Sequence, residues 1–141
     1  MKFRDKYWFL SNMYPCEILH KRSGIVFPCV ESAFQAGKAM FSSTHKIDLS
    51  FARMDGFTAK KEGRKVKMDA RGWNDAKQEY MRRILRIKFR APELKALLLA
   101  TPELIVEDND WGDTYWGTCN GMGKNKLGEL LMIVRAELQN S

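Results

Sequence analysis

Residues 74–89 read NDAKQEYMRRILRIKF, and this stretch decides most of the fold. When the stretch is drawn as a helix, its arginines lie largely away from the apolar residues, which is the pattern of an amphipathic helix. The stretch therefore predicts a long basic helix, with a buried stripe at Ala76, Tyr80, Ile84 and Ile87.

Further helices are predicted on both sides of this one. Pro92 suits the first turn of a helix, and Pro102 ends that helix just after Thr101. Residues 104–106 form either a short strand or an extended link. Apolar spacing indicates the remaining helices over residues 30–41, 46–54 and 60–66, and from about residue 125 onward.

A small hairpin precedes the helices. Residues 16–20 and 25–28 flank the sequence KRSG, in which Gly24 suits the turn. No repeat, low-complexity stretch or linker interrupts the chain. The expected fold class is mainly α: a single compact multihelical domain over residues 1–141, with a small N-terminal β-hairpin.

The charge balance favours anionic partners. The chain has 141 residues and a formal net charge of +7, with lysine and arginine dense between residues 60 and 90. Such an excess raises the local concentration of nucleotides, sugar phosphates or nucleic acid. The alternative is a solvated basic surface that only aids solubility.

Cysteine and histidine usage predicts neither a disulfide framework nor a metal site. The three cysteines are odd in number and contain no C-x-x-C pair, and the two histidines lack metal-ligand spacing. The apolar run at residues 7–10 is too short for a signal peptide, and no stretch resembles a membrane span. We therefore expect a cytoplasmic protein with no cofactor, no metal and no membrane contact.

The first candidate site is the row Glu31, Gln35 and Lys38. These residues stand at i, i+4 and i+7, so a helix places all three along one polar stripe. A carboxylate and an ammonium aligned in this way can transfer protons and anchor charge around a reacting sugar. The alternative is a solvent-exposed stripe with no chemical role.

The second candidate is the loop over residues 109–117, which reads NDWGDTYWG. Aromatic faces can stack on a nucleobase, and a neighbouring carboxylate such as Asp113 can bind sugar hydroxyls. The alternative is that Trp116 and its neighbours cap the core while the aspartates form turns. Trp73, which heads the long helix, either packs the helix start or offers a stacking surface.

The third candidate opens the last helix, where residues 120–128 read NGMGKNKLG. Free backbone N–H groups at a helix start, the glycines and Lys124 and Lys126 together suit a phosphate group. The segment matches neither the P-loop nor the dinucleotide-binding pattern. Its alternative is an ordinary turn with helix capping.

Taken in order, these segments resemble the NADAR (YbiA-like) family, and the resemblance covers nearly the whole chain. The matching residues begin with FLSN at residues 9–12, FPCVE at 27–31, FQA at 34–36 and Lys38. They continue with Gly63, Arg64, Trp73, MRR at 81–83, KF at 88–89, Leu97, Leu98 and Thr101, and end with Val106, Glu107, Asp113, Trp116, Gly117, Gly123, Asn125, LG at 127–128, Leu131, Met132 and Arg135.

The resemblance implies a mainly helical domain and N-glycosidase chemistry on ribosyl compounds. It implies hydrolysis of ribosylamino-pyrimidine phosphates of riboflavin synthesis, or removal of ADP-ribose from modified guanine. The family's functional positions map onto Glu31, Trp73 and Asp113, with Lys38 as a further candidate. Ser32 follows the glutamate here where many members carry histidine or another large residue, which bears on substrate choice.

These observations give a mechanistic hypothesis. Breaking a C1′–N bond builds positive charge on the ribose, which a carboxylate can stabilise. Glu31 is the expected acid–base residue, Asp113 orients water or ribose hydroxyls, and Lys38 holds phosphate or the opened sugar or forms a transient imine. Glu31 and Asp113 are expected to converge on one cleft walled by tryptophan. The expected substrate-binding residues are Trp73, Asn12, Gln35, Trp116, Gly123, Lys124 and Asn125.

The expected partner is a phosphate-bearing ribosyl small molecule or ADP-ribosylated guanine in nucleic acid. The main rival function is a non-catalytic module that binds ADP-ribose or nucleic acid through its basic surface and aromatic residues. A third is a structural or interaction protein. Release of a free base from a ribosylated substrate separates the enzyme from both rivals.

Overall fold

The long basic stretch forms the longest helix of the chain. In the computed structural model, which describes residues 1–141, this helix spans Ala70–Lys88 and is α3. It begins at Ala70 rather than at Asn74 because the Asp69 carboxylate accepts a hydrogen bond from the Arg71 N–H at 3.2 Å. Such a cap satisfies a donor that the first helical turn leaves open. The buried face of α3 consists of Trp73, Met81, Ile84, Leu85 and Lys88. Of the predicted stripe only Ile84 is buried, and Ala76, Tyr80 and Ile87 are half-buried, so the stripe was placed wrongly around the helix.

The chain divides into two compact units. The central unit is Asn12–Lys88, and the flanking unit combines Met1–Ser11 with Phe89–Ser141. The mainly α fold class with one small hairpin is confirmed. No helix of the chain is long and apolar enough to cross a bilayer.

The hairpin of the central unit is formed by strands β1, Ile18–His20, and β2, Ile25–Phe27. The strands are antiparallel, with Ile18 opposite Phe27. Gly24 has a φ of +74°, which closes the turn at a position where a side chain would be strained. The predicted hairpin is therefore confirmed.

The short helices of the central unit differ from prediction at their ends. Helix α1 spans Val30–Gly37 and passes into a 3₁₀ turn at Lys38–Phe41 instead of continuing as one α-helix. Helix α2 spans Gly56–Gly63, four residues earlier than the predicted start at 60, because the Asp55 carboxylate caps it by accepting from the Thr58 N–H at 2.8 Å. Residues 46–54 contain only a 3₁₀ helix, Leu49–Arg53.

Two glycines let helices of the central unit approach closely. A Cβ added to Gly63 at the end of α2 would lie 2.0 Å from the Gln35 Oε1 atom on α1. A Cβ on Gly37 would lie 2.4 Å from the Tyr80 ring on α3. Both contacts are closer than van der Waals packing permits for any larger residue. Helices α2 and α3 are therefore held directly against α1.

The flanking unit contains a 3₁₀ helix, Asp5–Leu10, and helices α4, Pro92–Leu99, and α5, Lys126–Gln139. Pro92 lies at the start of α4, as predicted. Residues 104–106 are an extended link and not a strand. The Arg135 guanidinium on α5 donates to Thr101 Oγ1 at 2.7 Å and to the Pro102 carbonyl at 2.6 Å, which holds the chain leaving α4 against α5.

Candidate active site

The polar row on α1 is buried. Every residue of α1 is buried, and Glu31 is only 8 % and Gln35 only 6 % exposed. The Gln35 amide Nε2 donates to the Glu31 Oε1 atom at 2.7 Å. A buried carboxylate is costly unless hydrogen bonds or opposite charges stabilise it. The alternative of a solvent-exposed stripe is therefore wrong, because Glu31 and Gln35 form a buried polar pair.

Lys38 extends this row by one turn. Its Nζ atom donates to the Gly63 carbonyl at 3.2 Å, and its side chain is half-buried. Burial lowers the pKa of Lys38 below its ordinary value; the Glu31 carboxylate opposes this, and the positive charges of Arg64 and Lys77 add to it. A lysine with a lowered pKa has a larger share of neutral, nucleophilic amine at neutral pH.

Asn12 lies at the other end of the same row. Its backbone carbonyl accepts from the Glu31 N–H at 2.9 Å, and its amide Nδ2 lies 3.8 Å from the Met81 sulfur. The Asn12 Oδ1 and Gln35 Oε1 atoms are buried and have no hydrogen-bond partner in the protein. Buried acceptors are nearly always satisfied. These two oxygens are therefore acceptors whose hydrogen-bonding capacity the protein does not use.

Trp73 belongs to an aromatic cluster behind α1. Its ring centroid lies 5.0 Å from that of Phe34 and 5.9 Å from those of Phe41 and Tyr80. Only 4 % of Trp73 is exposed. The Tyr80 hydroxyl donates to the Ala33 carbonyl at 3.0 Å, and burial raises the pKa of Tyr80. Trp73 thus packs the start of α3 against α1, which is the structural role considered for it from the sequence.

In the flanking unit, Asp113 organises the loop after residue 109. Its Oδ1 atom accepts from the N–H groups of Tyr115 at 3.0 Å and Trp116 at 2.9 Å. The Asn109 side chain donates to the Asp113 carbonyl at 2.8 Å and accepts from its N–H at 3.1 Å. One carboxylate oxygen of Asp113 therefore stabilises a turn, which is the alternative that the sequence left open.

The start of α5 differs from the predicted phosphate cradle. The N–H groups of Lys124, Lys126 and Leu127 donate to carbonyl groups of the preceding loop at 2.8, 3.0 and 2.8 Å. The predicted free N–H groups are thus already hydrogen-bonded. Asn125 adopts a left-handed conformation, and its side chain accepts from the Glu107 N–H and donates to the Ile105 carbonyl, both at 3.0 Å.

The remaining predicted residues of this loop have local contacts. Gly123 has a φ of +146° and lies against the Gly117 carbonyl, where a Cβ would be 2.4 Å from the oxygen. The Trp116 ring lies 4.9 Å from the Tyr115 ring, and the Lys124 ammonium is 5.7 Å from the centre of the same tyrosine. Gly123 thus lets the loop pack closely on itself, and the Lys124 charge lies beside an aromatic ring.

The structure thus places Asn12, Glu31, Gln35, Lys38 and Trp73 in the central unit, and Asp113, Trp116, Gly123, Lys124 and Asn125 in the flanking unit. The positive charges of Arg64 and Lys77 also act on Lys38, a relation that the spacing of residues in the sequence does not indicate. No group of three or more His, Cys, Asp or Glu side chains is placed to hold a metal ion.

Comparison with known proteins identifies the family. The model of the NADAR domain matches residues 1–139. The chain is 36 % identical over 137 residues to the N-glycosidase YbiA of Shigella boydii, covering 95 % of this chain and 83 % of that protein. It is 35 % identical over 138 residues to a riboflavin biosynthesis protein of Vibrio vulnificus, of which it spans only 36 %.

A solved structure agrees with this assignment. The NMR structure of the Escherichia coli protein YbiA matches with a TM-score of 0.79 and 33 % sequence identity, covering 99 % of this chain and 84 % of that chain. Sequence and fold therefore lead to the same result: this chain belongs to the NADAR family.

Proposed function

We propose that this chain hydrolyses the bond between C1′ of a phosphate-bearing ribose and the nitrogen of a base. The N-glycosidase class follows from family membership and from the names of its relatives. The substrate class is our proposal: ADP-ribosylated guanine, as a nucleotide or in nucleic acid, or a ribosylamino-pyrimidine phosphate. We also treat residues 1–141 as one functional domain of a cytoplasmic protein, because the family model runs through both units.

The observation that carries the proposal is the buried Glu31 carboxylate, hydrogen-bonded by Gln35 at 2.7 Å. Cleavage of the C1′–N bond requires a proton for the departing base nitrogen and a group that activates water. A carboxyl group shielded from bulk water can perform both steps in turn: in the acid form it gives a proton to the base, and as the carboxylate it takes one from water. The hydrogen bond from Gln35 to Oε1 orients this group.

Lys38 has two chemical roles compatible with its position. As a cation it anchors the phosphate or the opened sugar. As a neutral amine it attacks C1′: the Nζ–C1′ bond forms as the C1′–base bond breaks, and the Glu31 carboxylate takes a proton from the substituted Nζ and passes it to the departing base nitrogen. Water then adds to C1′ as the Nζ–C1′ bond breaks, and a proton of that water returns to Nζ through Glu31. The lowered pKa of Lys38 supports the amine role. Asn12 Oδ1, a buried acceptor, suits a ribose hydroxyl.

In the flanking unit, we propose that Asp113 orients water or the ribose hydroxyls and that aromatic side chains of its loop stack on the base. The second oxygen of Asp113 is the one available for a ribose hydroxyl or water, because Oδ1 caps the turn. The buried position of Trp73 favours a supporting role behind Phe34 over direct stacking on the base.

The test is a product assay with the full chain and two substrates, an ADP-ribosyl-guanine oligonucleotide and a ribosylamino-pyrimidine phosphate. Chromatography with mass detection measures the free base and the ribosyl product. Wild-type protein should release base from at least one of them. Glu31→Gln, which keeps the shape and removes the charge, should lower kcat by about 10²–10⁴-fold, the usual contribution of a positioned acid–base group.

Glu17→Gln is the matched control, because Glu17 is an exposed carboxylate of the same unit. It should retain wild-type turnover, and both variants should keep the wild-type melting transition. A folded Glu31→Gln protein with near-normal kcat would remove Glu31 from the mechanism. Binding of ADP-ribose with no base released from either substrate would favour the non-catalytic module.

A further inference from the structure

The outer side of α2 carries an exposed aromatic ring followed by positive side chains. The buried side of this helix consists of glycine and alanine residues. Phe57, Lys61 and Arg64 stand at i, i+4 and i+7 and are all exposed, so they form one row along the opposite side, which we call the α2 row. Arg64 is the C-terminal cap and keeps helical dihedral angles, with φ −66° and ψ −20°. The row therefore continues to the end of the helix.

The ring at the start of the α2 row is open to solvent. Phe57 is 69 % exposed, more than any other aromatic residue of the chain. Its exposed ring contributes little to the core, because the stabilisation from burial grows with the apolar area removed from water. A ring in this position offers a free face on which a planar ligand such as a nucleobase can stack.

The two cations of the α2 row have no counter-ion in the protein. Neither the Lys61 nor the Arg64 side chain forms a hydrogen bond or an ion pair. Glu62 is the one acidic residue of α2, and its carboxylate pairs with Lys65 at 3.1 Å. A positive charge near a helix C-terminus does stabilise the helix, but this effect explains only the charges and not the ring beside them.

Positive side chains continue beyond α2. Lys67 and Arg71 are exposed and also lack an ion pair in the protein. Arg71 lies in the first turn of α3, where the helix dipole disfavours a positive charge, so helix stability does not explain it. Of the 24 lysine and arginine residues of the chain, two thirds lie in the central unit, which holds fewer than half of the 17 acidic ones. This unit therefore attracts polyanions.

We propose that the α2 row binds a single strand of nucleic acid, with Phe57 stacked on a base and Lys61 and Arg64 contacting backbone phosphates. Four residues of a helix span about 6 Å, which is close to the distance between successive phosphates of an extended strand. Surfaces that bind single strands combine aromatic platforms with positive side chains in this way. A duplex, whose bases stack on one another, offers Phe57 no free base.

The α2 row ends beside the candidate active site. Gly63, the last residue of α2, lies against the Gln35 side chain, and its carbonyl accepts from Lys38 Nζ at 3.2 Å. A strand on the row passes this end of the helix. The inference rests on the proposed function only for its purpose, which is to hold a modified base of the strand near Glu31. Binding of the strand itself requires no turnover.

Stacking is tested by fluorescence anisotropy with labelled single strands of DNA and RNA of about twelve nucleotides and with the DNA duplex. Wild type should bind a single strand more tightly than the duplex, and preference between DNA and RNA identifies the natural strand. Phe57→Leu keeps an apolar side chain but removes the ring, so it should weaken binding of the single strand by at least about fivefold. Phe57→Trp should retain binding. Duplex binding as tight as that of the single strand, or an unaffected Phe57→Leu, would overturn the proposal.

The phosphate contacts are tested by the salt dependence of the same binding. The slope of log K against log salt changes by about 0.7 for each phosphate contacted on a single strand. The Lys61→Gln, Arg64→Gln double variant should therefore lower the magnitude of the slope by about 1.4, whereas Phe57→Leu should leave the slope unchanged. The control is Lys21→Gln, Arg22→Gln, which removes one lysine and one arginine from the exposed hairpin turn of the same unit. Equal slopes for the two double variants would overturn the contacts.

Turnover separates this surface from the proposed function. Phe57→Leu and Lys61→Gln should each raise KM for the ADP-ribosyl-guanine oligonucleotide by about fivefold or more, and should leave kcat/KM unchanged for the ribosylamino-pyrimidine phosphate, a small phosphorylated riboside. An equal loss on both substrates would overturn the surface while the N-glycosidase proposal stands. Strand binding with the expected variant pattern, but with no base released from either substrate, would support the surface and reject the proposed function.

Discussion

Glu31 and Lys88 show two ways in which the central unit accommodates a buried charge. Glu31 accepts a hydrogen bond from Gln35 and lies near the Lys38 cation, so its charge is partly offset. Lys88 is only 1 % exposed, and its ammonium lies 5.5 Å from the centre of the Tyr14 ring. The face of the Tyr14 ring, which attracts a cation, therefore contributes to holding this ammonium in the interior.

The titration of Lys88 gives a prediction about stability. Burial lowers the pKa of Lys88 from 10.5 to about 8, while nearby Cys16 and Cys29 oppose the change. Between these two values the unfolded chain binds the proton that the folded chain has released, so the free energy of unfolding rises with pH. The stability gained from neutral Lys88 is fully present above 10.5 and is lost as pH falls through 8. From pH 7 to pH 9 the expected gain is about 1.4 kcal/mol.

Urea unfolding at pH 7, 8 and 9 measures this gain. Lys88→Met fills a similar volume without a titrating group, so the difference between wild type and variant isolates the lysine. Burial also raises the pKa of Cys16, which lowers stability above pH 9; because the Lys88 charge opposes this shift, the Cys16 effect differs between the two proteins, and the comparison is kept to pH 9 and below. Parallel pH dependences of wild type and Lys88→Met would contradict the assigned titration.

At the scale of elements, the packing of α2 on α1 gives a second prediction. A Cβ at Gly63 would meet the Oε1, Cδ and Cγ atoms of Gln35 at 2.0, 2.6 and 3.0 Å. Gly63→Ala should therefore force Gln35 from its place and lower the free energy of unfolding by about 1–3 kcal/mol. Because Gln35 then loses its bond to Glu31, kcat should fall as well.

The double variant Gln35→Ala, Gly63→Ala checks the cause. Alanine at position 35 lacks all three atoms in the clash, so adding Gly63→Ala in that background should be neutral or stabilise by up to about 1 kcal/mol. The coupling between the two changes should be at least about 1 kcal/mol by urea unfolding. An equal cost of Gly63→Ala in both backgrounds would show that Gln35 is not the obstacle.

Comparison of particular elements shows what periodicity can predict. The sequence predicts helix α3 because apolar residues recur at helical spacing through many turns. It predicts the hairpin because Gly24 marks the turn between the two strands. The start of α2 was placed too late because its signal is the cap residue Asp55 and not an apolar pattern. The spacing of apolar residues indicates that a helix is present, but the residue at which the helix begins or ends depends on single hydrogen bonds.

The candidate site was predictable only in part for a similar reason. Spacing aligned Glu31, Gln35 and Lys38 correctly on one side of α1, but it gave no measure of their burial, which depends on α2 and α3 packing over them. Arg64 and Lys77, whose charges act on Lys38, are distant from it in sequence, and the contacts that hold α2 and α3 against α1 are made by Gly63 and Tyr80. Long-range packing of this kind leaves no periodic trace in the sequence.

At the scale of the whole molecule, the net charge of +7 should assist the capture of a phosphate-bearing substrate. Long-range attraction between exposed charges is screened over about 10 Å at 0.1 M salt and about 3 Å at 1 M. Raising the salt concentration from about 0.02 M to about 0.5 M should therefore lower kcat/KM for the phosphorylated riboside by about fivefold or more, mainly through KM. The riboside without phosphate should show no such dependence.

Variants of single lysines show which positive charges cause this salt dependence of kcat/KM. Lys126 already pairs with Glu129 at 3.3 Å, so Lys124 is the better candidate of the two for contact with the substrate. If Lys124 meets the phosphate, Lys124→Gln should flatten the plot of log kcat/KM against log salt more than Lys61→Gln, since both remove one charge but only one removes a contact. Equal slopes for the two variants would show that Lys124 contributes only to the long-range positive potential of the protein and does not contact the phosphate. A wild-type KM that stays constant across the salt range would reject electrostatic capture of the phosphate altogether.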